Sequence, residues 1–332
     1  MKKTLYIFSN GEIRRKQNTL YFESEDGKRK YLPVENIGEI MVFGEVTINK
    51  RLMEFIAEKH VILHFFNHFG YYVGSFYPRE HYNSGYMILK QTEHYLDEEK
   101  RVELAKRFVM GAMENMIKVL SYYERREVEG LATPIEQLRC LEAQIADVPD
   151  IERLMAIEGN AKDIYYRCFD NIIGDEEFSY TVRTRQPPRN RLNAMISFGN
   201  SLLYVEALRA IYETHLDPRI GYLHATNFRR FTLNLDVAEV FKPIIVDRLI
   251  FALLNKKMIQ PKHFTRELGG VYMNEKGRRV FVEEWEKKLN MTVKLPSLKR
   301  NVSYRRLLLL ELYKIEKHLI GEKEYSPFVM AW

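Results

Sequence analysis

Three segments far apart in the chain each carry side chains suited to a hard metal ion: Glu158 within residues 155–161, His224 after Gly221-Tyr222-Leu223, and Asp236 with Glu239 within residues 235–243. Carboxylates plus one imidazole suit magnesium or manganese. Arginine-rich segments lie between them and suit a polyanion. Together the two features point to a divalent metal held against a phosphodiester, with nucleic acid as the substrate.

Each residue must be weighed in its own segment. A helix over about 151–169 puts Leu154, Glu158, Ala161 and Tyr165 on one face, so Glu158 interrupts an apolar stripe. A buried carboxylate needs a partner, either a metal ion or a buried arginine. Gly159, inside the same helix, serves either close packing or the approach of a substrate. Asp236 and Glu239 share a face of a helix begun near Asn234, where they can share a cation or flank it. The neighbours Val237, Val240 and Phe241 argue against a solvated acidic face, and Pro243 kinks or ends this helix. His224 alone reads most simply as a structural histidine, but the Arg229-Arg230 pair follows closely. His60, His64 and His68 repeat at four-residue spacing, yet strand-like residues separate them and no acid lies among them, so a metal role there is set aside. Arg183, Arg185, Arg189 and Arg191 surround Pro187-Pro188, in a loop that can aim guanidiniums at successive phosphates or simply be solvated. Lys276, Arg278 and Arg279 form a later basic cluster.

The elements that position these residues fall into two regions, as a length of 332 suggests. Strand patterns run over 4–8, 12–16, 19–23, 40–43, 61–65 and 71–77, with one amphipathic helix over 50–59. A polar stretch over 77–85 breaks both periodicities, and helix-length patterns follow it. We therefore expect a β-rich domain over 1–85 and a helical domain over 86–332. The 46% share of hydrophobic residues can fill both cores, and the 21 tyrosines are available for packing or for stacking on bases. A net charge of +6 decides little beside 51 basic and 45 acidic residues; local patches matter more. The two cysteines, Cys140 and Cys168, have no CxxC partner, which fits a reducing, cytoplasmic setting rather than a disulfide framework or zinc ribbon. The N-terminus reads as a first strand rather than a secretory signal, and no apolar run of about 18 residues is present to span a membrane.

One family unites these segments. The ordered set Ile157-Glu158-Gly159-Asn160-Ala161, then residues 185–199 from Arg185-Gln186-Pro187-Pro188-Arg189 onward, then Gly221-Tyr222-Leu223-His224, then residues 235–248, resembles the CRISPR adaptation integrase family. Residues 39–48 and Gly269-Gly270-Val271-Tyr272 look similar to its N-terminal sheet and C-terminal region, so the resemblance spans nearly the whole chain. It implies an α+β protein: a small, β-sandwich-like N-terminal domain that mediates homodimerisation, then a larger all-α catalytic domain. Glu158, His224 and Glu239 match the family's metal ligands, with Mg2+ or Mn2+ as cofactor, and Glu239 stands where several members carry aspartate. Asp236 matches a further acidic position that orients a ligand or metal-bound water. The implied reaction is insertion of a spacer by transesterification, a DNA 3′-hydroxyl attacking a repeat phosphodiester. The implied partners are prespacer duplex and CRISPR repeat DNA, a second copy of the chain, and a small ferredoxin-like adaptation protein. Arg183, Arg185, Arg189, Arg191, Arg229, Arg230 and Arg248 are the candidates for holding DNA strands, Arg248 being equally suited to pair with Asp247. The ligand set leaves open a degradative nuclease that uses water instead. A non-catalytic DNA scaffold would need the arginines but not Glu158.

Overall fold

Asn49 accepts the backbone N–H of Leu52 and starts a helix whose Leu52, Phe55 and Ile56 point one way, and the N-terminal core forms against that face. In a computed structural model the described residues are 2–78, 82, 84–224, 231–295 and 299–331. The chain divides into two compact units, residues 1–81 and 82–332. The division falls four residues before the boundary expected from sequence, because Ser84 caps the first helix of the second unit.

The first unit contains β1 (Lys3–Ile7), β2 (Gly11–Lys16), β3 (Thr19–Ser24), β4 (Arg29–Leu32), β5 (Ile37–Val42), β6 (Val46–Thr47), α1 (Lys50–Glu58), β7 (Ile62–Phe66) and β8 (Tyr72–Phe76). They form two four-stranded sheets, ordered β1-β5-β7-β8 and β4-β3-β2-β6. β1, β5 and β7 run parallel, and α1 supplies the crossover between β5 and β7. Ile13 and Leu20 from one sheet and Ile40, Val42 and Leu63 from the other share one apolar cluster with α1. β4 and β6 were not expected. β4 is an edge strand whose Arg29, Lys30 and Tyr31 are all exposed, and β6 has two residues, so neither shows alternation. His64, on β7, lies buried: its Nδ1 is 2.6 Å from Ser75 Oγ and its Nε2 3.4 Å from Glu39.

The second unit contains α2 (Gly85–Leu96), α3 (Glu98–Glu124), α4 (Ala132–Gln144), α5 (Ile151–Arg167), α6 (Phe169–Ile173), α7 (Arg191–Tyr212), α8 (Leu233–Lys242) and α9 (Arg248–Asn255), followed by β9 (Phe264–Glu267), β10 (Gly270–Met273), α10 (Glu275–Asn290), β11 (Thr292–Leu295), β12 (Arg300–Ser303) and α11 (Tyr304–Leu319). The all-α expectation for this unit gives way to helices plus two short hairpins. Between β9 and β10, Leu268 and Gly269 both have positive φ, the backbone of a tight two-residue hairpin turn. α3 is the central helix, packed by α8, α4 and α5. Its Asn115 side chain bonds the C-terminal turn of α8. Pro243 has no N–H, and the backbone runs on through a π-helical turn, Pro243–Asp247, rather than breaking. The Asn115 amide donates to Val240 O and Phe328 O, each at 2.8 Å, and its oxygen accepts the Met330 N–H at 2.9 Å. One side chain thus ties α8 to the C-terminal segment. No helix among the described residues is long and apolar enough to cross a membrane.

Candidate functional site

Asp150 caps α5, accepting the Arg153 N–H at 2.8 Å, and this start sets the helix phase that buries Leu154, Glu158, Ala161 and Tyr165. Glu158 therefore lies on the apolar face, as its spacing predicts. Its partner is not an arginine but Lys162, one turn further along the same helix. The Lys162 ammonium also lies 2.9 Å from Glu239 Oε2 of α8, so one positive charge is shared by carboxylates from two helices. The other oxygen of Glu239 accepts from Lys242, whose ammonium lies 4.9 Å from the centre of the Tyr204 ring. Burial works against the charge on Lys162, but Glu239 and Glu158 outweigh it and hold the ammonium's pKa above its usual value. Burial would likewise raise the pKa of Glu239, yet the Lys162 and Lys242 ammoniums pull it well below the carboxylate range. The two carboxylates and two ammoniums balance.

His224 approaches the same carboxylate. Its Nε2 is 3.9 Å from Glu239 Oε1, and its side chain is 25% exposed against 2% for Glu239. Asp236 sets that orientation. Its Oδ2 accepts the N–H groups of Tyr222 (2.6 Å) and Leu223 (3.1 Å), and its Oδ1 accepts the N–H of His224 at 3.0 Å. His224 Nδ1 lies 2.7 Å from the same Oδ1. A carboxylate surrounded by donors only accepts, so Nδ1 carries the proton and Nε2 presents its lone pair. Gly221 makes the wrap possible: a Cβ there would sit 2.9 Å from Asp236 Oδ2 and 2.7 Å from the backbone of Thr232. Asp236 is fully buried with both oxygens engaged. Its oxygens thus hold the backbone of 222–224 and the His224 ring together.

The arginines part company. Arg183 turns inward, donating to Thr184 O, Asn193 Oδ1 and Ser197 Oγ, and burial lowers its pKa; these contacts brace the loop against α7. Arg191 pairs with Glu177 at 2.6 Å. Arg248 stacks on Tyr122 at 4.0 Å, a contact that neither of its expected roles includes. Arg185 and Arg189 are exposed. Arg229 and Arg230 lie outside the described residues. Sequence reasoning passed over Lys162, although Glu158 and Lys162 show i,i+4 spacing, and Lys242, three residues after Glu239. It read Asp247 only as a pairing partner for Arg248 and not as a buried carboxyl, whose pKa burial pushes up to about 7. No pattern in the chain announces that last group.

Among the described residues, no group of three His, Cys, Asp or Glu side chains stands close enough to grip a metal ion as the side chains are placed. The reason is visible: Lys162 fills the space between Glu158 and Glu239. In chemistry the donor set fits magnesium or manganese: two carboxylates share the Lys162 cation, and the imidazole Nε2 lies 3.9 Å from the other oxygen of Glu239.

A family model described as CRISPR associated protein Cas1 matches residues 5–287. A protein of Thermodesulfovibrio yellowstonii named CRISPR-associated endonuclease Cas1 2 is 58% identical over 332 residues, all of both chains. A solved Cas1 structure from Thermotoga maritima superposes with a TM-score of 0.89 at 48% identity, covering 98% of this chain and 100% of that one. A casposase bound to integration product shares the fold at 21% identity, with a TM-score of 0.88, covering 99% of this chain and 93% of that one.

Proposed function

The chain belongs to the Cas1 family of CRISPR-associated proteins, and from that premise we propose that it is a divalent-metal-dependent DNA endonuclease and integrase. It inserts spacer DNA into a CRISPR array by attack of a DNA 3′-hydroxyl on a repeat phosphodiester. The observation that carries this reading is that Glu158 and Glu239, from two helices, share one cation, while His224 Nε2, from a third segment, lies 3.9 Å from the other oxygen of Glu239. Those three residues would hold Mg2+ or Mn2+, which when bound supplies Lewis-acid polarisation of a phosphoryl oxygen and neutralises charge on the entering and leaving oxygens. The remaining work is the protein's own. Asp236 holds His224 in the tautomer whose Nε2 can bind a cation, and Lys242, braced on Tyr204, fixes the orientation of Glu239. Arg185 and Arg189, exposed on the loop before α7, would hold a strand. The bond broken supplies the bond made, so no nucleotide cofactor is required. By the same family reading the first unit forms a homodimer, a small ferredoxin-like protein joins the complex, and the setting is cytoplasmic.

The test is strand joining. A labelled duplex with free 3′-hydroxyls is mixed with a repeat-bearing plasmid in magnesium or manganese, beside the same duplex ending in 3′-deoxynucleotides. Joining requires the hydroxyl and disappears in Glu158→Ala, His224→Ala and Glu239→Ala, each of which keeps a folded circular-dichroism spectrum. Near-wild-type joining by any of the three overturns the ligand assignment. Plasmid cleavage without joining, indifferent to the 3′ end, would make the protein a degradative nuclease.

A further inference from the structure

Lys162 lies where the proposed metal reading puts the ion, and that position has a consequence. Its ammonium reaches Glu158 on its own helix and Glu239 on α8, the two carboxylates that a divalent ion would have to share. Glu158 and Glu239 together carry two negative charges, and Lys162 and Lys242 return two positive ones. An ion of charge +2 entering that balanced set meets an ammonium at contact distance from both of its ligands. The two cations cannot both remain in a buried space where screening is weak.

The surroundings show where the ammonium can go. The Lys162 side chain is 15% exposed, so one side of it faces out, and it rides on a long, flexible stem. Side chains on a helix lean toward its N-terminus, which carries the stem over the preceding turn. Gly159 occupies that turn, three residues back, and an added Cβ there would meet nothing within 4 Å. The glycine in the middle of α5 therefore leaves open space on the path by which Lys162 would leave, rather than serving tight helix packing.

We propose that Lys162 is a displaceable counter-ion: it occupies the metal position in the metal-free protein, holds Glu158 and Glu239 together there, and swings out over Gly159 when a divalent cation takes its place. Metal binding is then an exchange of cations. The site stays assembled without metal, at the cost of a weaker intrinsic affinity for it. This inference rests on the proposed ligand set, and its test separates the two.

Isothermal titration with Mn2+ alone, in the absence of DNA, is run on the full chain, on Lys162→Gln and Lys162→Met, and on Glu158→Ala and Glu239→Ala. Thermal melts of all five are recorded without metal and with saturating Mn2+. Both Lys162 variants bind Mn2+ roughly tenfold or more tightly than wild type, because a competing charge is gone. They also melt lower than wild type without metal and gain more from Mn2+. Unchanged or weaker Mn2+ binding in both variants, while Glu158→Ala and Glu239→Ala abolish it, overturns the exchange and leaves the metal site standing. Wild-type Mn2+ binding in Glu158→Ala and Glu239→Ala overturns the site itself. Should both Lys162 variants fail to fold with or without Mn2+, Lys162 is a fixed structural ion pair and the exchange is wrong.

Discussion

The two units each bury a glutamate beside a histidine, and they do so to different ends. In the first unit His64 is fully buried, with Nδ1 on Ser75 and Nε2 facing Glu39, while Glu39 also accepts from Thr4 at 2.5 Å. Both ring nitrogens face partners within the protein. In the second unit His224 gives Nδ1 to Asp236 but leaves Nε2 aimed at Glu239 across 3.9 Å, a gap too long for a hydrogen bond, with a quarter of the side chain exposed. The residue types match, and neither Nε2 makes a hydrogen bond; what differs is access, since His64 is sealed in and His224 is a quarter exposed. A sealed pair can serve only the fold, whereas a partly open one leaves a ring nitrogen within reach of a ligand.

The sharpest way to break that contrast is to remove each histidine. His224→Ala lowers strand joining by about 10³-fold or more while the melting temperature stays near wild type. His64→Ala costs about 2–4 kcal/mol of stability, since it opens a cavity beside the buried Glu39 and removes the Ser75 contact, yet the folded fraction joins DNA normally. Denaturant melts paired with joining assays on both variants check this, and a reversed pattern would sink the contrast.

A smaller effect follows from Asp236. An asparagine there must turn an amide N–H2 toward backbone N–H groups or toward His224, so Asp236→Asn weakens Mn2+ binding about 10–100-fold, even though the residue never touches the ion. Calorimetry on this variant beside His224→Ala measures it, and wild-type affinity would show that the tautomer does not matter.

Asp247 sharpens the account through pH. Burial raises its pKa from 3.8 to about 7, so between those values the folded chain keeps a proton that the unfolded chain has released. Its contribution to stability is therefore greatest below about pH 4, falls as pH rises through the window, and levels off above about 7. Glu239 shifts the opposite way, its contribution disappearing on acidification, but it is present in both proteins when wild type is compared with Asp247→Asn. The difference in unfolding free energy between them should move in favour of the variant by roughly 2–4 kcal/mol from pH 4 to pH 7. Denaturant titrations at several pH values measure it, and a flat difference would place a charged Asp247 in the fold.

The smallest effect concerns the arginines. Replacing Arg185 and Arg189 together with alanine lowers the slope of log K against log salt for duplex DNA by up to about 1.8, at roughly 0.9 for each phosphate the protein no longer neutralises. Arg183→Ala instead lowers the melting temperature, since its partners Asn193 and Ser197 lie on α7. An unchanged slope in the double variant would move the DNA-binding surface elsewhere.

How far the sequence could be read follows from the same physics. Periodicity reports burial, so α1, the Glu158 face of α5 and the mostly buried α8 were legible, as were the six strands with clear alternation. β4 and β6 were not, because a charged edge strand and a two-residue strand carry no alternation. The hairpins after α9 were also missed, because four-residue strands among helices leave too short a pattern. At the site, Glu158, His224, Asp236 and Glu239 were all singled out, but not the partners each one meets. Whether a carboxylate faces backbone donors, as Asp236 does, or ammoniums, as Glu239 does, depends on contacts between segments 12 or more residues apart. Lys162 was legible in principle, since an i,i+4 Glu–Lys pair on an apolar stripe is itself unusual. Arg183 could not be told from Arg189 without knowing that α7 begins at Arg191 and brings Asn193 beneath the loop.

The central claim is that Glu158, His224 and Glu239 share one divalent ion, and anomalous scattering from crystals soaked in Mn2+ tests it most directly. The account predicts a single strong anomalous peak per chain, bonded to one oxygen from each glutamate and to His224 Nε2, with the Lys162 ammonium moved away from both carboxylates. A map with no peak there at saturating Mn2+, and Lys162 still lying between Glu158 and Glu239, would contradict it.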